Sequence, residues 1–245
     1  MVKTAIIIPA RFASSRFPGK PLADIQGKTM IQRVIEQCLK VKNTPFVLVA
    51  TDDQRILDHV VSLGYRAVLT HSYHPSGTDR CYEAANLACP DADIIINVQG
   101  DEPFIQPQQI EQIIEAIRDG GASIATLALA MKNGHDPHDP NKVKVVFNRH
   151  GDALLFSRSP IPHVRNTNTE DWHKHTPFFK HIGLYGFRKD VLAQLIQLPT
   201  SPLERAESLE QLRWLEAGFP IRVLITEHES IGIDTPEDLA EANRI

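Results

Sequence analysis

Short apolar runs rich in β-branched residues alternate along the chain with longer segments in which apolar residues recur every three or four positions. Several runs are apolar throughout, which is typical of strands covered on both faces in a mostly parallel sheet. These runs lie near residues 4–8, 46–50, 66–69, 94–98, 123–129, 143–147 and 221–225. Helical periodicity is clearest in 30–39, 56–61 and 110–117. The order βαβαβ predicts a doubly wound, mostly parallel α/β sheet.

From about residue 135 to 190 the texture changes to the polar, proline-studded stretches HDPHDPN and RSPIPHVRNTNTEDWHKHTP. With 245 residues, of which 42% are hydrophobic, the chain can build one large α/β core. We therefore predict a single domain over 1–245 with an inserted lobe at about 135–190. Near the end, Ser201 with Glu204 and Thr235 with Asp238 are spaced as capping boxes, which predicts two helix starts.

The charge balance points to small-molecule substrates. A net charge of -4 disfavours nucleic-acid and membrane partners, because both select basic surfaces. The three cysteines form no CxxC pair, so neither a disulfide framework nor a thiolate zinc site is expected. The apolar run at residues 6–8 is too short for a signal peptide or a membrane span. We expect a cytoplasmic protein.

A basic loop follows the first strand. The segment ARFASSRFPGKPL carries Arg11, Arg16 and Lys20, and Gly19 lets the backbone approach a ligand closely. Ligands bind at this carboxyl edge of open α/β sheets, and arginine and lysine suit the oxygens of a triphosphate. The loop matches neither GxxxxGK[ST] nor GxGxxG, which disfavours P-loop NTPases and nicotinamide dehydrogenases. The sequence predicts another kind of phosphate site, with a solvated basic loop as the alternative.

Two carboxylates are candidate magnesium ligands. Asp101 follows the strand near 94–98 in the segment QGDEP, and magnesium prefers one or two carboxylates plus phosphate oxygens. A capped turn is the alternative for Asp101. Asp234 directly precedes the last predicted helix and could equally complement the helix dipole. Asp52 and Asp53 form the most obvious acidic pair, but we interpret them as helix caps.

Other candidates carry weaker signals. The turn HPSGTDR precedes a helix predicted to start near Asp79 and suits contact with a base or ribose. In HIGLYGF, strand alternation places His181 and Tyr185 on one face, either over a substrate or in the core. Arg158 ends the run ALLFSR and could bind a carboxylate. In ERAESLEQLRWLEAG, Glu210 lies near the face opposite the leucines, where a solvated surface is the alternative.

The segments IIPARFASSRFPGKPL, ATDD, HPSGTDR, NVQGDEP, VKVVF, ALLFSRSPIP, KHIGLYGFR, SPLERAESLEQLR and GIDTPEDL follow one another in this order and are spread over residues 7–239. Their conjunction resembles the 3-deoxy-manno-octulosonate cytidylyltransferases. The resemblance implies a nucleotide-diphospho-sugar transferase (Rossmann-like) fold and a homodimer built through the inserted lobe. It also implies Mg2+ as cofactor and transfer of CMP from CTP to 3-deoxy-D-manno-octulosonate (Kdo), with release of pyrophosphate, for lipopolysaccharide biosynthesis.

The resemblance assigns roles to particular positions. The nucleotide would be held by Ala10, Arg11, Ser15, Arg16, Lys20, Ser76, Gly77, Thr78 and Arg80. Catalysis would depend on Arg16, Lys20, Asp101 and Asp234, the two aspartates as magnesium ligands. The sugar acid would be bound by Gln99, Arg158, His181, Tyr185, Glu210 and Gln211.

Two segments depart from the family pattern. The loop has ASSR where ASTR is frequent, and the stretch from 165 to 176 is unlike the common form. The second departure leaves 8-amino-Kdo open as the substrate, and another sugar acid such as sialic acid is the next alternative. A non-catalytic nucleotide sensor is a further alternative, disfavoured by the presence of both Asp101 and Asp234.

Overall fold

A mixed β-sheet with helices on both faces organises the chain in the computed structural model, which describes residues 2–13, 17–43, 45–132, 136–229 and 232–244. The strands are β1 (Thr4–Ala10), β2 (Asp24–Ile25), β3 (Lys28–Thr29), β4 (Phe46–Thr51), β5 (Ala67–Leu69), β6 (Ile94–Asn97), β7 (Ile124–Ala130), β8 (Lys144–Phe147), β9 (Ala153–Ser157), β10 (Phe179–Arg188) and β11 (Arg222–Thr226).

The α-helices are α1 (Met30–Cys38), α2 (Gln54–Ser62), α3 (Gly77–Ala88), α4 (Pro107–Arg118), α5 (Lys189–Leu195), α6 (Pro202–Glu207), α7 (Gln211–Glu216) and α8 (Pro236–Ala242). Short 3-10 helices occupy Lys20–Leu22 and Thr169–Lys174. Among the described residues, no helix is both long and apolar enough to cross a bilayer.

The main sheet has the order β11-β7-β10-β6-β1-β4-β5, and the β8–β9 hairpin extends from β10. β1 runs parallel to β4 and β6, whereas β10 is antiparallel to β6 and β7. The α/β class predicted from the sequence is confirmed, but β10 falls within 135–190, the range predicted for the lobe, and lies in the middle of the sheet. β7 ends at the carboxyl edge and the chain re-enters from that edge, so β10 has to run in the opposite direction.

Burial on both faces explains why the strand runs lack alternation. In β1, Ile6 and Ile8 pack into one core cluster with residues of α1, α2 and α4, while Ala5 and Ile7 pack into another with residues of α3, α5 and α7. All four side chains are completely buried. The sheet is thus a rigid central layer, and its carboxyl edge carries the loops after β1 and β6.

Gly186 is where α4 packs most closely on β10. A Cβ at this position would lie 2.3 Å from Ile113 Cγ2 and 2.7 Å from Ile117 Cδ1. We expect Gly186→Ala to lower the free energy of unfolding by about 1–3 kcal/mol, because an added methyl overfills a packed core. Urea unfolding measures the effect. Gly183→Ala on the same strand, with nothing within 4 Å of the new Cβ, is the matched control; equal stability of the two variants would contradict the prediction.

The two predicted capping boxes are present, at Ser201 for α6 and Thr235 for α8. The segment ERAESLEQLRWLEAG, however, is not one helix. Ser208 adopts a left-handed conformation with φ 52° and ends α6, and α7 begins at Gln211. This break changes the helical phase, so residues that a continuous helix would expose can turn inward.

Candidate active site

The loops after β1 and β6 meet at the carboxyl edge of the sheet around a cavity of about 440 Å³. Seven of the candidate residues line it: Ala10, Arg11, Lys20, Ser76, Gly77, Gln99 and Asp101. A cavity of about 580 Å³ lies against α8 and the residues after it, and larger cavities of about 860 and 830 Å³ lie near the opposite edge of the sheet. There Lys3 pairs with Asp91 and Arg188 with Asp190, so these charges are engaged with one another. The 440 Å³ cavity is the one that gathers the predicted chemistry.

Glycines allow the loops after β1 and β6 and the turn before α3 to approach each other. A Cβ on Gly100 would lie 2.9 Å from the carbonyl oxygen of Pro9, and one on Gly77 would lie 3.3 Å from Pro9 Cγ. A backbone oxygen cannot move aside as a flexible side chain can, so Gly100 sets how close the segment before Asp101 comes to the basic loop.

Lys20 joins the two predicted magnesium ligands. Its Nζ lies 2.6 Å from Asp101 Oδ2 and 3.1 Å from Asp234 Oδ1. Burial works to lower the pKa of Lys20, but the charges and hydrogen bonds of Asp101 and Asp234 outweigh it and raise the pKa above its ordinary value. The backbone brings the two segments together, since Ile233 N–H donates to the Asp101 carbonyl at 2.9 Å. Lysine is therefore charged, with carboxylates on two sides.

The donor set fits a hard divalent cation. Two carboxylates that converge on one ammonium group could converge equally on Mg2+, which takes the rest of its oxygen ligands from phosphate and water. The described residues contain no group of three or more histidine, cysteine, aspartate or glutamate side chains arranged to hold a metal. Asp101 and Asp234 would thus depend on the substrate to complete a metal site.

The basic loop is anchored at both ends. Arg11 Nη2 donates to the His74 carbonyl at 2.7 Å, and Gly19 N–H donates to the Phe12 carbonyl at 2.9 Å. The Arg55 guanidinium from α2 lies 3.3 Å above the centre of the Phe12 ring, a cation–π contact that the sequence analysis missed because the two residues are distant in sequence. The predicted phosphate ligands Ser15 and Arg16 lie outside the described residues.

Glu210 connects the start of α3 to α7. Its carboxylate accepts hydrogen bonds from Ser76 Oγ at 2.9 Å, Thr78 Oγ1 at 2.8 Å and Arg213 Nη2 at 2.6 Å. The side chain is 24% exposed, yet its carboxyl group is enclosed, and burial raises its pKa above the usual range. Ser76 also caps α3, which begins at Gly77, two residues before the predicted start near Asp79. The solvated-surface interpretation of Glu210 is therefore wrong, because the break at Ser208 turns the residue inward.

His181 and Tyr185 share a face of β10, as the alternation predicts, although a bulge separates them. Their ring centroids are 5.4 Å apart, and His181 Nε2 lies 2.9 Å from Thr126 Oγ1. Burial lowers the pKa of His181 to about 3. Burial, and then the charge of Glu210, raise the pKa of Tyr185 well above 10. Both rings are neutral at physiological pH, and Tyr185 lies close enough to Glu210 to feel the charge of its carboxylate.

His181 makes a testable contribution to acid sensitivity. The folded protein keeps its ring neutral to about pH 3, whereas the unfolded chain takes up the proton near pH 6.5. The stabilising contribution is therefore complete above pH 6.5 and is lost as the pH falls below it. We expect His181→Gln to show a shallower decline in urea-unfolding midpoint between pH 7 and 4.5 than the parent. Parallel curves for the two proteins would show that His181 titrates normally.

Arg158 is engaged with backbone carbonyls. Its Nε donates to the Glu207 carbonyl at 2.7 Å and its Nη1 to the Pro140 carbonyl at 3.0 Å. The Glu207 carboxylate in turn accepts from Ser157 Oγ and from the Arg158 N–H. The buried Lys144 donates to the Arg158 carbonyl at 2.5 Å. Binding of a sugar carboxylate by Arg158 remains a prediction, and it requires the guanidinium to exchange these partners.

Arg80 belongs to α3 and does not line the cavity. It is completely buried, and its guanidinium donates to Asp52 Oδ2 at 2.9 Å and Thr70 Oγ1 at 2.5 Å. Asp53 caps α2 as predicted, but Asp52 is the ion-pair partner of Arg80 and not a cap. Any influence of Arg80 on nucleotide binding would therefore be indirect, because its side chain holds α3 in place. Gln211 is also buried, at the start of α7.

A family model described as cytidylyltransferase matches residues 5–231. Among curated relatives, the 3-deoxy-manno-octulosonate cytidylyltransferase of Parabacteroides distasonis is 52% identical over 99% of this chain and 97% of the relative. That of Thermodesulfovibrio yellowstonii is 47% identical over 98% of this chain and 97% of the relative.

Among solved structures, a CMP:2-keto-3-deoxy-manno-octonic acid synthetase in complex with CTP superposes with a TM-score of 0.91 at 45% identity, over 99% of this chain and 97% of that one. A putative glucose-1-phosphate thymidylyltransferase from Bacillus anthracis, at 14% identity and a TM-score of 0.65 over 98% and 94% of the chains, shares the fold. The chain belongs to the cytidylyltransferase family and, within it, to the 3-deoxy-manno-octulosonate cytidylyltransferases.

Proposed function

We propose that this chain transfers CMP from CTP to Kdo, giving CMP-Kdo and pyrophosphate for lipopolysaccharide biosynthesis. The observation that supports this most directly is that Lys20, which lines the cavity together with Asp101, pairs with both Asp101 and Asp234. This arrangement combines a cation suited to phosphate with carboxylates suited to a metal ion. The choice of Kdo as the sugar rests on the relatives named as 3-deoxy-manno-octulosonate cytidylyltransferases, and the choice of CTP as the nucleotide rests on the solved complex with CTP.

In the proposed reaction, the anomeric hydroxyl of Kdo attacks the α-phosphorus of CTP in line. The new O–P bond forms as the bond from the α-phosphorus to the bridging oxygen breaks, pyrophosphate leaves with that electron pair, and the hydroxyl proton passes to solvent. Arg16 and Lys20 would offset the charge on the leaving pyrophosphate, and Arg11 would help to bind the triphosphate. A Mg2+ ion held by Asp101 and Asp234 would supply Lewis-acid activation of the phosphate and the attacking hydroxyl.

Binding of the sugar acid is assigned to the face formed by β10 and α7. His181 and Tyr185 present neutral polar rings, and Glu210 presents a carboxylate that can accept hydrogen bonds from sugar hydroxyls. Gln99 lines the 440 Å³ cavity from the loop after β6. Arg158 is the cation proposed for the sugar carboxylate. We further propose that the protein works in the cytoplasm as a homodimer built through the lobe.

Pyrophosphate release from CTP, measured with Kdo and Mg2+, tests the proposal. Sialic acid, 8-amino-Kdo, UTP and EDTA form the comparison arms. Release that requires CTP, metal and Kdo supports the proposed reaction, while preference for 8-amino-Kdo or sialic acid would move the chain to another sugar acid. If no pyrophosphate is released with any sugar acid but CTP binds measurably, the nucleotide sensor is favoured.

A further inference from the structure

Lys20 pairs with both of the carboxylates that are proposed as metal ligands, Asp101 and Asp234. Only 14% of its side chain is exposed, compared with 32% for Asp101 and 51% for Asp234. Its ammonium group, not solvent, therefore occupies the inner side of the carboxylate pair. The distances of 2.6 and 3.1 Å to the two carboxylate oxygens are those of charged hydrogen bonds.

All three partners are held by the backbone. Lys20 begins a 3-10 helix whose first turn is fixed by Gly19 at φ 71°, and Gly19 is tied back to Phe12. Asp101 and Asp234 are linked through the hydrogen bond from Ile233 N–H to the Asp101 carbonyl. Two carboxylates held together in this way repel each other unless a cation lies between them. The chain supplies that cation itself.

We propose that Lys20 is a built-in counterion of the metal site. Before substrate arrives, its ammonium group keeps Asp101 and Asp234 together and opposes metal binding. A nucleoside triphosphate then draws the ammonium group onto its phosphates and frees the two carboxylates for the metal ion. This rests on the function proposed above. A divalent cation and the ammonium group cannot share both carboxylates, because like charges at such separations repel strongly. Metal and nucleotide are then bound with positive coupling, and the coupling is reciprocal.

The residue type suits an exchangeable counterion. Lysine carries a compact charge on a flexible four-carbon stem, so Nζ can move while its backbone stays fixed. An arginine at this position would hold a carboxylate with two parallel hydrogen bonds and would leave it less readily. The alternative is a static ion pair that orders the loop and has no influence on metal affinity.

Mn2+ binding to the nucleotide-free protein separates these possibilities. Electron paramagnetic resonance measures free Mn2+ in titrations of the parent, Lys20→Met and Lys28→Met. Lys28 is the control because it forms an ion pair with Glu36 away from the cavity. We expect Lys20→Met to bind Mn2+ about 10-fold more tightly than the parent or the control. We also expect Asp101→Asn in the Lys20→Met background to remove that gain. Equal Mn2+ affinities, or no detectable binding to either protein, would overturn the proposal.

Thermal unfolding provides a second readout. Without its counterion the carboxylate pair is destabilising, so Mn2+ should raise the unfolding temperature of Lys20→Met more than that of the parent. Lys20→Gln, which keeps a hydrogen-bond donor, replaces the methionine variant if that variant does not fold. If Mn2+ binds as expected but no pyrophosphate is released from CTP and Kdo, the counterion proposal stands and the proposed reaction is rejected. Turnover with unchanged Mn2+ affinity would reject the counterion alone.

Discussion

Replacing Asp101 by asparagine is expected to slow pyrophosphate release by about 1,000-fold, or ~4 kcal/mol of transition-state stabilisation, at saturating CTP, Kdo and Mg2+. The amide keeps the shape of the side chain, but it loses the negative charge that a divalent cation requires. Lys20 and Arg11 remain, so CTP should still bind. The loss is therefore expected in kcat, with a much smaller change in the dissociation constant for CTP.

Stopped-flow or coupled assays of pyrophosphate release give kcat, and calorimetry gives the dissociation constant for CTP. Asp91→Asn is a suitable control, because Asp91 is exposed and pairs with Lys3 near the opposite edge of the sheet. Activity of Asp101→Asn within tenfold of the parent at saturating Mg2+, or a loss fully explained by weaker CTP binding, would remove Asp101 from the metal site.

Local patterns in the sequence were sufficient to predict the fold class and two helix starts. Uninterrupted apolar runs predicted strands covered on both faces, and β1 is buried in this way. The capping boxes at Ser201 and Thr235 were predicted because their hydrogen bonds form within four residues. The central position of β10 could not be predicted in this way, because its pairing with β6 and β7 depends on contacts between residues far apart in the chain.

The candidate site divides along the same line. Arg11, Lys20 and Asp101 were predicted from the rule that ligands bind where parallel strands end, and the structure brings them to one cavity. The ion pairs of Lys20 with Asp101 and Asp234 join segments up to 214 positions apart, so no local pattern reveals them. A continuous helix through this segment predicts an outward position for Glu210. The left-handed conformation of Ser208 breaks that helix, and nothing in the sequence pattern around Ser208 indicates the break.

Glu210→Gln is expected to lower kcat/KM for the sugar acid by about 100-fold, or ~2.7 kcal/mol. In the proposed site, the carboxylate accepts from sugar hydroxyls while it also holds Ser76, Thr78 and Arg213. Glutamine offers one acceptor oxygen in place of two, and it leaves the buried Arg213 with a weaker partner. Because Ser76 caps α3 beside the nucleotide cavity, KM for CTP should rise as well, by about fivefold.

The separation of the two KM values decides what Glu210 does. If the residue only stabilised the contact between α3 and α7, Glu210→Gln would lower the unfolding temperature and leave KM for the sugar acid unchanged. A sugar-specific loss in a folded variant requires the carboxylate to contact the sugar or to orient the groups that do. Glu216→Gln, at the exposed last position of α7, which Glu210 directly precedes, controls for the change of charge. Equal effects on the two substrates would instead assign Glu210 to the nucleotide side of the cavity, through Ser76 and Thr78.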